Sequence, residues 1–362
     1  IAMSNIRAYL MPVLTHIATA LKVLLLLAGG VMVVQDQMSM GQFMAYALYL
    51  SMLVAPLMGL TFLMFLLQRG TTAMTSLEAI LNTQPNLPPV LPHAEAALPQ
   101  QLQAGLSVSH LTYAYPDDPE RPALRDVSFD LRPGEIVGVF GAVGSGKTTI
   151  VNLLNRYLQP SPGTITLDGV DLTTISQARL RRHVVTVTQE PFLFSDSIRE
   201  NIRFAALDGE EEVERAAQVA ALGQDLVQLP QGLDTLVGEK GITLSGGQKQ
   251  RISLARALLK PCDVLILDDV LSAVDQETER YLIEQIYGFR QARSLLIVSH
   301  RVSVLERANR IIVLEEGRVT GQGSHAELAA RPGVYREAYL YQSEQGPPPA
   351  APGLPQQPHS AD

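Results

Sequence analysis

The sequence has no tryptophan, a single cysteine and no excess of positive charge. Cys262 is alone among 362 residues, which excludes an internal disulfide framework and a cluster of metal-bound thiolates. The net charge of −8 gives no reason to expect a nucleic-acid partner, because binding to phosphate backbones requires a basic face. Nothing at the start of the chain reads as a signal peptide, and no internal repeat is evident.

The length and the uneven composition predict two units in different environments. A chain of 362 residues is longer than one typical domain. The hydrophobic fraction is 46%, and the ten methionines cluster in the first 75 residues. The chain opens at Ile1 rather than Met, so we expect a fragment that lacks its N-terminal portion.

Two long apolar runs occupy residues 11–34 and 43–67, and the second carries no charge. Each reaches the length of about 20 apolar residues that a membrane-crossing helix needs. The alternative, a pair of buried core helices, fits uncharged runs of this length less well. Arg7 and Arg69 flank the pair, so the positive-inside rule places both ends in the cytoplasm. Lys22 lies inside the first run and is expected to face a hydrated cavity or a partner, or to reach the inner surface.

The remainder of the chain has three parts. Residues 85–104 are proline-rich and predict an extended linker. Over residues 105–341, helical stretches alternate with the apolar runs EIVGVF, HVVTVTQ, DVLILDD, SLLIVSH and RIIVLEE, which predicts an α/β domain with a largely parallel sheet. Residues 342–362 are again proline-rich and predict a disordered tail.

Residues 141–148 read GAVGSGKT and lie between a predicted strand and a predicted helix. Glycines allow successive backbone amides to wrap around an anion at the helix N-terminus. Lys147 can reach the β- and γ-phosphates, and the Thr148 hydroxyl can bind Mg²⁺. The alternative of a chance glycine turn is disfavoured by the flanking strand and helix. The predicted nucleotide-binding residues of this loop are Gly141, Ala142, Val143, Gly144, Ser145, Gly146, Lys147, Thr148 and Thr149.

Two further motifs point to the same chemistry. The apolar strand that ends at Asp268 brings this carboxylate to the edge of the sheet that carries the phosphate loop, where it can hold Mg²⁺. Residues 244–251 read LSGGQKQR before a helical stretch, which is a second anion site at a helix N-terminus. A second phosphate cradle makes sense if it serves a nucleotide held by another subunit.

These motifs, together with VTVTQEPFLFSDSIRENI, LVGEKGITLSGGQ, SAVD and IVSH in this order, resemble the ABC transporter ATPase family over residues 105–341. The two apolar runs resemble the last two of the six helices of an exporter half-transporter, so residues 1–84 would be the C-terminal part of a transmembrane domain. The resemblance implies an α-helical transmembrane pair followed by an α/β P-loop NTPase domain that binds ATP and Mg²⁺.

The resemblance also implies roles for single residues. Tyr115 would stack on adenine, whereas Tyr113, on the same strand face, is more readily interpreted as a core aromatic. Gln189 would contact Mg²⁺ and the attacking water, and His300 would contact the γ-phosphate.

Other implied roles lie at a dimer interface. Asp275 would bridge two subunits, and Glu239 would meet an extension of the partner's membrane domain. The signature residues that would cap the partner's γ-phosphate are Leu244, Ser245, Gly246, Gly247 and Gln248.

One position departs from the family pattern. The hydrolytic site normally carries Glu after the strand aspartate, and this chain has Asp269. Asp is one methylene shorter, which places its carboxylate about 1.5 Å back, or one C–C bond. A misplacement of that order can lower a rate by about 10²-fold. The alternative is that a backbone adjustment lets Asp serve nearly as well; we favour impaired hydrolysis.

The sequence therefore predicts an ATP-hydrolysing export subunit in the cell membrane, multi-pass, with a cytoplasmic ATP-binding domain. Its expected partner is a second, non-identical half-transporter that carries Glu at the corresponding position. A homodimeric exporter, a regulatory ATP-binding subunit with negligible turnover, and a soluble ABC ATPase of DNA repair or translation remain alternatives. The two apolar runs argue against the last. A lipid, a peptide or another small molecule could be the transported substrate.

Overall fold

The computed structural model describes residues 2–83, 99, 101–204, 210–238, 244–271, 274, 276–288 and 293–344. The chain divides into two compact units, Ile1–Asn86 and Leu87–Asp362. Most of the predicted linker, Glu239, Asp275 and the end of the predicted tail lie outside the described residues.

The first unit contains two contacting helices, α1 (Ala2–Val34) and α2 (Met40–Leu81). Ser39 begins α2 with a capping box, in which its hydroxyl accepts from the Gln42 amide at 3.2 Å and the Gln42 side chain accepts from the Ser39 amide at 3.0 Å. The helices approach closely at Gly29, where a Cβ would lie 2.9 Å from the Phe43 ring.

Both predicted crossings, residues 11–34 and 43–67, lie within these helices. Across the described parts of the chain, no helix combines the length and the apolar character that a membrane crossing needs. The structure therefore does not confirm the two crossings.

The second unit contains two sheets. The strands are β1 (Leu106–Tyr113), β2 (Leu124–Leu131), β3 (Ile136–Phe140), β4 (Ile165–Leu167), β5 (Val170–Asp171), β6 (Val184–Val187), β7 (Val264–Asp268), β8 (Ser294–Ser299), β9 (Arg310–Glu315) and β10 (Arg318–Gly323). One sheet is antiparallel, with the order β2-β1-β4-β5. The other has the order β10-β9-β3-β8-β7-β6, with every neighbouring pair parallel except β9 and β10. The predicted α/β fold with a largely parallel sheet is confirmed.

The described helices of this unit follow or connect the strands. They are α3 (Lys147–Leu154), α4 (Gln177–His183), α5 (Ile198–Arg203), α6 (Glu210–Val219), α7 (Gly223–Gln228), α8 (Gly246–Leu259), α9 (Gln276–Gly288), α10 (Val302–Leu305), α11 (His325–Ala330) and α12 (Val334–Glu344). Residues 342–344, which the composition predicted as tail, form the last turn of α12, because Gln342 is hydrogen-bonded to the loop after β8.

The parallel strands are buried on both faces, as their continuous apolar sequences require. In β3, Val137 and Val139 belong to a core that also contains residues of the antiparallel sheet, whereas Ile136 and Phe140 belong to a second core with residues of the helices. This packing holds the carboxyl ends of β3, β7 and β8 at one edge of the sheet, where the loops that carry the motifs begin.

Candidate nucleotide-binding site

The glycine loop joins β3 to α3 in the predicted position. Gly146 is the N-cap of α3 with φ 104°, a left-handed conformation that favours glycine. A Cβ at this position would lie 2.7 Å from Leu124 Cδ2 and 2.8 Å from the carbonyl oxygen of Ala123. Both the backbone conformation and the available space therefore require glycine here.

Lys147 lies against this loop. Its Nζ donates to the carbonyl oxygens of Gly141 and Ala142, each at 2.8 Å. Burial lowers the pKa of Lys147, while the nearby carboxylates of Asp269 and Asp268 raise it. The Lys147 amine thus lies on the loop and near the two carboxylates. From this position it could turn toward a bound triphosphate.

Ser145 is buried, and its Oγ has no hydrogen-bond partner among the described residues. An unpaired buried hydroxyl has a cost of about 1–3 kcal/mol. A phosphate oxygen in the loop would accept a hydrogen bond from this hydroxyl and remove that cost, so the loop fits the phosphates of a nucleotide.

Asp268 ends β7 and is only 4% exposed. Burial raises its pKa to about 6, with a further increase from Asp269 and a decrease from Lys147. Among the described residues, no group of three His, Cys, Asp or Glu side chains could hold a metal ion. Mg²⁺ fits this donor set nonetheless, because it is commonly held by one or two carboxylates together with substrate phosphates; Asp268 and the exposed Thr148 would hold it.

Asp269 follows directly in a left-handed conformation, with φ 50°, which Asp tolerates better than most residues. Its amide donates to the carbonyl oxygen of Val298 at 2.9 Å. Its Oδ1 lies 3.1 Å from Nδ1 of His300, which follows β8. The structure therefore brings together Asp269 and His300, two of the three side chains that the sequence proposed for hydrolysis; the third, Gln189, is exposed and makes its hydrogen bond to Gln250 through its carbonyl oxygen.

Tyr115 lies beside the glycine loop and is 38% exposed. Its hydroxyl is 3.1 Å from Thr149 Oγ1, and its ring meets Tyr113 edge-on at a centroid distance of 5.3 Å. Tyr113 packs against the core between the sheets, as expected of a core aromatic. With 38% of its surface exposed, Tyr115 can be reached by a base, while its hydroxyl contacts Thr149 in the helix that follows the loop.

The signature residues begin α8. Ser245 is the N-cap, and its Oγ accepts from the Gln248 amide at 3.2 Å while the Gln248 side chain accepts from the Ser245 amide at 2.9 Å. Gln248 Nε2 also donates to Asp225 Oδ1 at 3.0 Å, and Arg251 donates to the other carboxylate oxygen at 2.6 Å. Leu244 is buried in the helical core, and Gly246 is exposed. Within this chain, Ser245 and Gln248 therefore stabilise the start of α8.

Comparison with known proteins agrees with this geometry. Residues 124–272 match the ABC transporter family.

The chain carries an ABC transporter ATP-binding domain.

The multidrug resistance-like ATP-binding protein MdlA of Escherichia coli is 38% identical over 329 residues, covering 90% of this chain and 55% of that protein. The ATP-dependent lipid A-core flippase of Thiobacillus denitrificans is 39% identical over 337 residues, covering 92% of this chain and 57% of that protein. A solved bacterial Atm1-family ABC exporter with ATP bound has a TM-score of 0.70 and 31% identity, covering 94% of this chain and 59% of that one. The chain thus spans a little over half the length of these relatives.

Sequence reasoning missed several side chains of this ABC domain. Gln250 is 5% exposed, and its amide donates to the carbonyl oxygen of Gln189 at 3.1 Å, which joins the exposed Gln189 segment to the signature helix. Asp225 was also missed, although it orients both Gln248 and Arg251. The glutamine within LSGGQKQR was visible, but its partner lies 61 residues away. No local pattern could have identified it.

Proposed function

We propose that this chain is the ATP-binding and ATP-hydrolysing subunit of an ABC exporter. The buried Ser145 hydroxyl of the glycine loop, which has no hydrogen-bond partner among the described residues, carries the proposal, because a phosphate oxygen would accept a hydrogen bond from it. Lys147 and Asp268 beside the loop supply the positive charge and the Mg²⁺ ligand for the triphosphate. The relatives described above include an ATP-dependent flippase and an exporter with ATP bound, which supports ATP-driven export here.

The two N-terminal helices would be the last two helices of the membrane domain. Large apolar side chains along both are exposed, among them Leu24 at 63%, Leu27 at 65% and Tyr49 at 62%. Extended apolar exposure marks a surface that contacts lipid or protein. The protein would then be multi-pass in the cell membrane with a cytoplasmic ATP-binding domain. Its cargo would be amphiphilic, in keeping with the names of its flippase and multidrug relatives.

The second anion site supports a dimer. Ser245 and the exposed Gly246 open a helix of 14 residues, whose N-terminal amides attract negative charge. The signature residues of one chain would therefore cap the triphosphate held by Lys147 of another. ATP would draw the two domains together, and hydrolysis would release them.

This association has a direct test. Purified protein with ATP and Mg²⁺, under conditions that block turnover, should form dimers in light scattering, whereas protein with ADP should not. Protein that stays monomeric with both nucleotides would contradict the dimer. Co-purification of a stoichiometric second half-transporter would identify the non-identical partner; its absence from an active preparation would favour a homodimer.

The position of Asp269 supports an impaired hydrolytic site. Its short carboxylate is already close to His300, and it sits on backbone tied to Val298. A carboxylate one methylene longer would reach a water at the γ-phosphate more directly. Such a subunit would hold ATP for long periods while its signature residues complete a faster site on the partner. A regulatory subunit without useful turnover is the alternative that Asp269 also favours.

Replacing Asp269 by Glu tests the premise that the impaired subunit and the regulatory subunit share, namely that Asp269 limits hydrolysis. We expect Asp269→Glu to raise the ATPase rate about 10- to 100-fold, the size of effect that a displacement near 1 Å produces. Asp269→Asn, which keeps the length and removes the charge, is the matched control and should not raise the rate. An ATPase rate in Asp269→Glu equal to that of the unchanged protein would disprove the impaired site.

A further inference from the structure

The loop that carries His300 is held by a residue of the last described helix. The side chain of Gln342 in α12 donates through Nε2 to the carbonyl oxygen of His300 at 3.1 Å. Its Oε1 accepts from the amide of Val302 at 2.8 Å. One amide thus satisfies a backbone acceptor and a backbone donor on either side of Arg301, which leaves this turn little freedom.

The same loop is held from its other side by α9. Glu279 is only 4% exposed and forms an ion pair with Arg301. Its second oxygen accepts from Ser303 Oγ at 2.6 Å. The loop after β8 is therefore fixed between two helices, and Gln342 is the contact from the C-terminal side.

Helix α12 is itself held by buried contacts near its start. Tyr335, near its start, is 2% exposed and packs edge-on against Phe140 at a centroid distance of 5.0 Å. Phe140 is the last residue of β3, immediately before the glycine loop. The Tyr335 hydroxyl lies 2.9 Å from Nδ1 of His325 in α11. Through its two ends, α12 supports both the strand before the glycine loop and the loop of His300.

We propose that Gln342 is a positioning residue for His300, and this inference rests on the proposed ATPase function. With Nδ1 of His300 directed at Asp269, the other ring nitrogen is the one that can face a γ-phosphate. The direction of the His300 ring depends on the backbone at residue 300. Gln342 holds this backbone because its Nε2 donates to the carbonyl oxygen of His300. Loss of this hold lets the histidine move by the fraction of an ångström that matters in the transition state more than in substrate binding.

Steady-state ATPase kinetics test the proposal, in the unchanged chain and in the Asp269→Glu background. Gln342→Ala should lower kcat roughly tenfold while KM for ATP stays within about twofold. Ser343→Ala is the matched control, because among the described residues the Ser343 hydroxyl donates only to the carbonyl oxygens of Tyr339 and Leu340 within α12. It should leave both constants unchanged.

A double-mutant cycle separates positioning from a purely structural role. In a His300→Ala background, Gln342→Ala should have no further effect on kcat, whereas a general loss of structure would lower the rate again by the same factor. Equal effects with and without His300 would overturn the proposal. A chain without ATPase activity in either background would instead contradict the proposed function.

Hydrogen exchange gives a readout that does not depend on activity. The Val302 amide should exchange roughly tenfold faster or more in Gln342→Ala than in Ser343→Ala, because its acceptor has been removed. Unchanged protection of Val302 would show that Gln342 does not hold the loop, and would also overturn the proposal.

Discussion

At the scale of single residues, the glycine loop separates the effect of backbone conformation from the effect of space. Gly144 and Gly146 both have positive φ, at 83° and 104°. A Cβ on Gly144 would meet nothing within 4 Å, whereas a Cβ on Gly146 would meet Leu124 and the Ala123 carbonyl. Both positions therefore require a positive φ, which favours glycine, but only Gly146 also lacks space for a side chain.

This difference predicts unequal stabilities for two alanine variants. Gly144→Ala should lower the free energy of unfolding by about 1–2 kcal/mol, the cost of a left-handed alanine. Gly146→Ala should lower it by about 1–3 kcal/mol more, because the methyl group also overlaps its neighbours. Denaturant unfolding without nucleotide measures both. Equal losses for the two variants would show that the contacts at Gly146 relax freely.

Asp268 and Asp269 show that adjacent residues of the same type can be given different tasks by their surroundings. Asp268 is buried at the end of a strand, and burial raises its pKa to about 6. A Mg²⁺ ion would reverse this effect, because a nearby cation favours the ionised carboxylate. Asp269, one residue later, turns into a left-handed conformation toward His300. The sequence DD shows two carboxylates; only the backbone turn separates the proposed Mg²⁺ ligand, Asp268, from Asp269, the partner of His300.

At the scale of elements, the start of α8 combines an observed helix cap and a proposed phosphate contact in one residue. Ser245 caps the helix in the described chain, and it is also proposed to face the partner's triphosphate. The two functions have different chemical requirements. An N-cap needs only a side-chain acceptor, which Asp provides as well as Ser, whereas a triphosphate repels a carboxylate.

Two substitutions at this residue should therefore affect different properties, one the stability and the other the dimerisation. Ser245→Ala should lower the free energy of unfolding by about 1 kcal/mol through loss of the cap. Ser245→Asp should keep stability within about 0.5 kcal/mol and abolish ATP-driven dimerisation. Ser324, which caps α11 with a similar capping box, provides the control: Ser324→Ala should lower stability without affecting dimerisation. A Ser245→Asp protein that dimerises normally with ATP would argue against a phosphate contact at this residue.

At the scale of the whole molecule, the second unit (Leu87–Asp362), here called the nucleotide-binding unit after its proposed site, has its own hydrophobic cores. One lies between the two sheets and the other between the parallel sheet and the helices, and both consist of residues from Leu106 onward. A unit with its own core can be expected to fold independently. The site described above lies within this unit.

A shortened chain tests this independence. Residues 99–344 alone should unfold cooperatively and bind ATP within roughly threefold of the affinity of the whole chain. Circular dichroism during heating and nucleotide titration measure the two properties. Non-cooperative unfolding would show that the helical unit contributes to the stability of the nucleotide-binding unit.

Local sequence patterns were sufficient for much of the parallel sheet and for the position of the glycine loop. Apolar runs of strand length with flanking acidic or glycine residues predicted β3, β7 and β8 and the loops that follow them. The GAVGSGKT motif predicted the loop before α3 for a local reason, since glycine conformations and a helix start involve neighbouring residues. Composition was less reliable: it predicted a tail from residue 342, where the structure has the end of a helix.

By itself, then, the sequence determined the apolar strands β3, β6, β7, β8 and β9 and indicated the residues proposed to bind a triphosphate, because these depend on short-range periodicity and on side-chain chemistry. The tertiary structure decided which groups support them. Gln342 meets His300 across 42 residues, Gln248 meets Asp225 across 23, and Tyr115 meets Thr149 across 34. Such contacts arise only when strands are ordered in sheets and helices pack on them, so their partners are set by packing in three dimensions rather than by spacing along the chain.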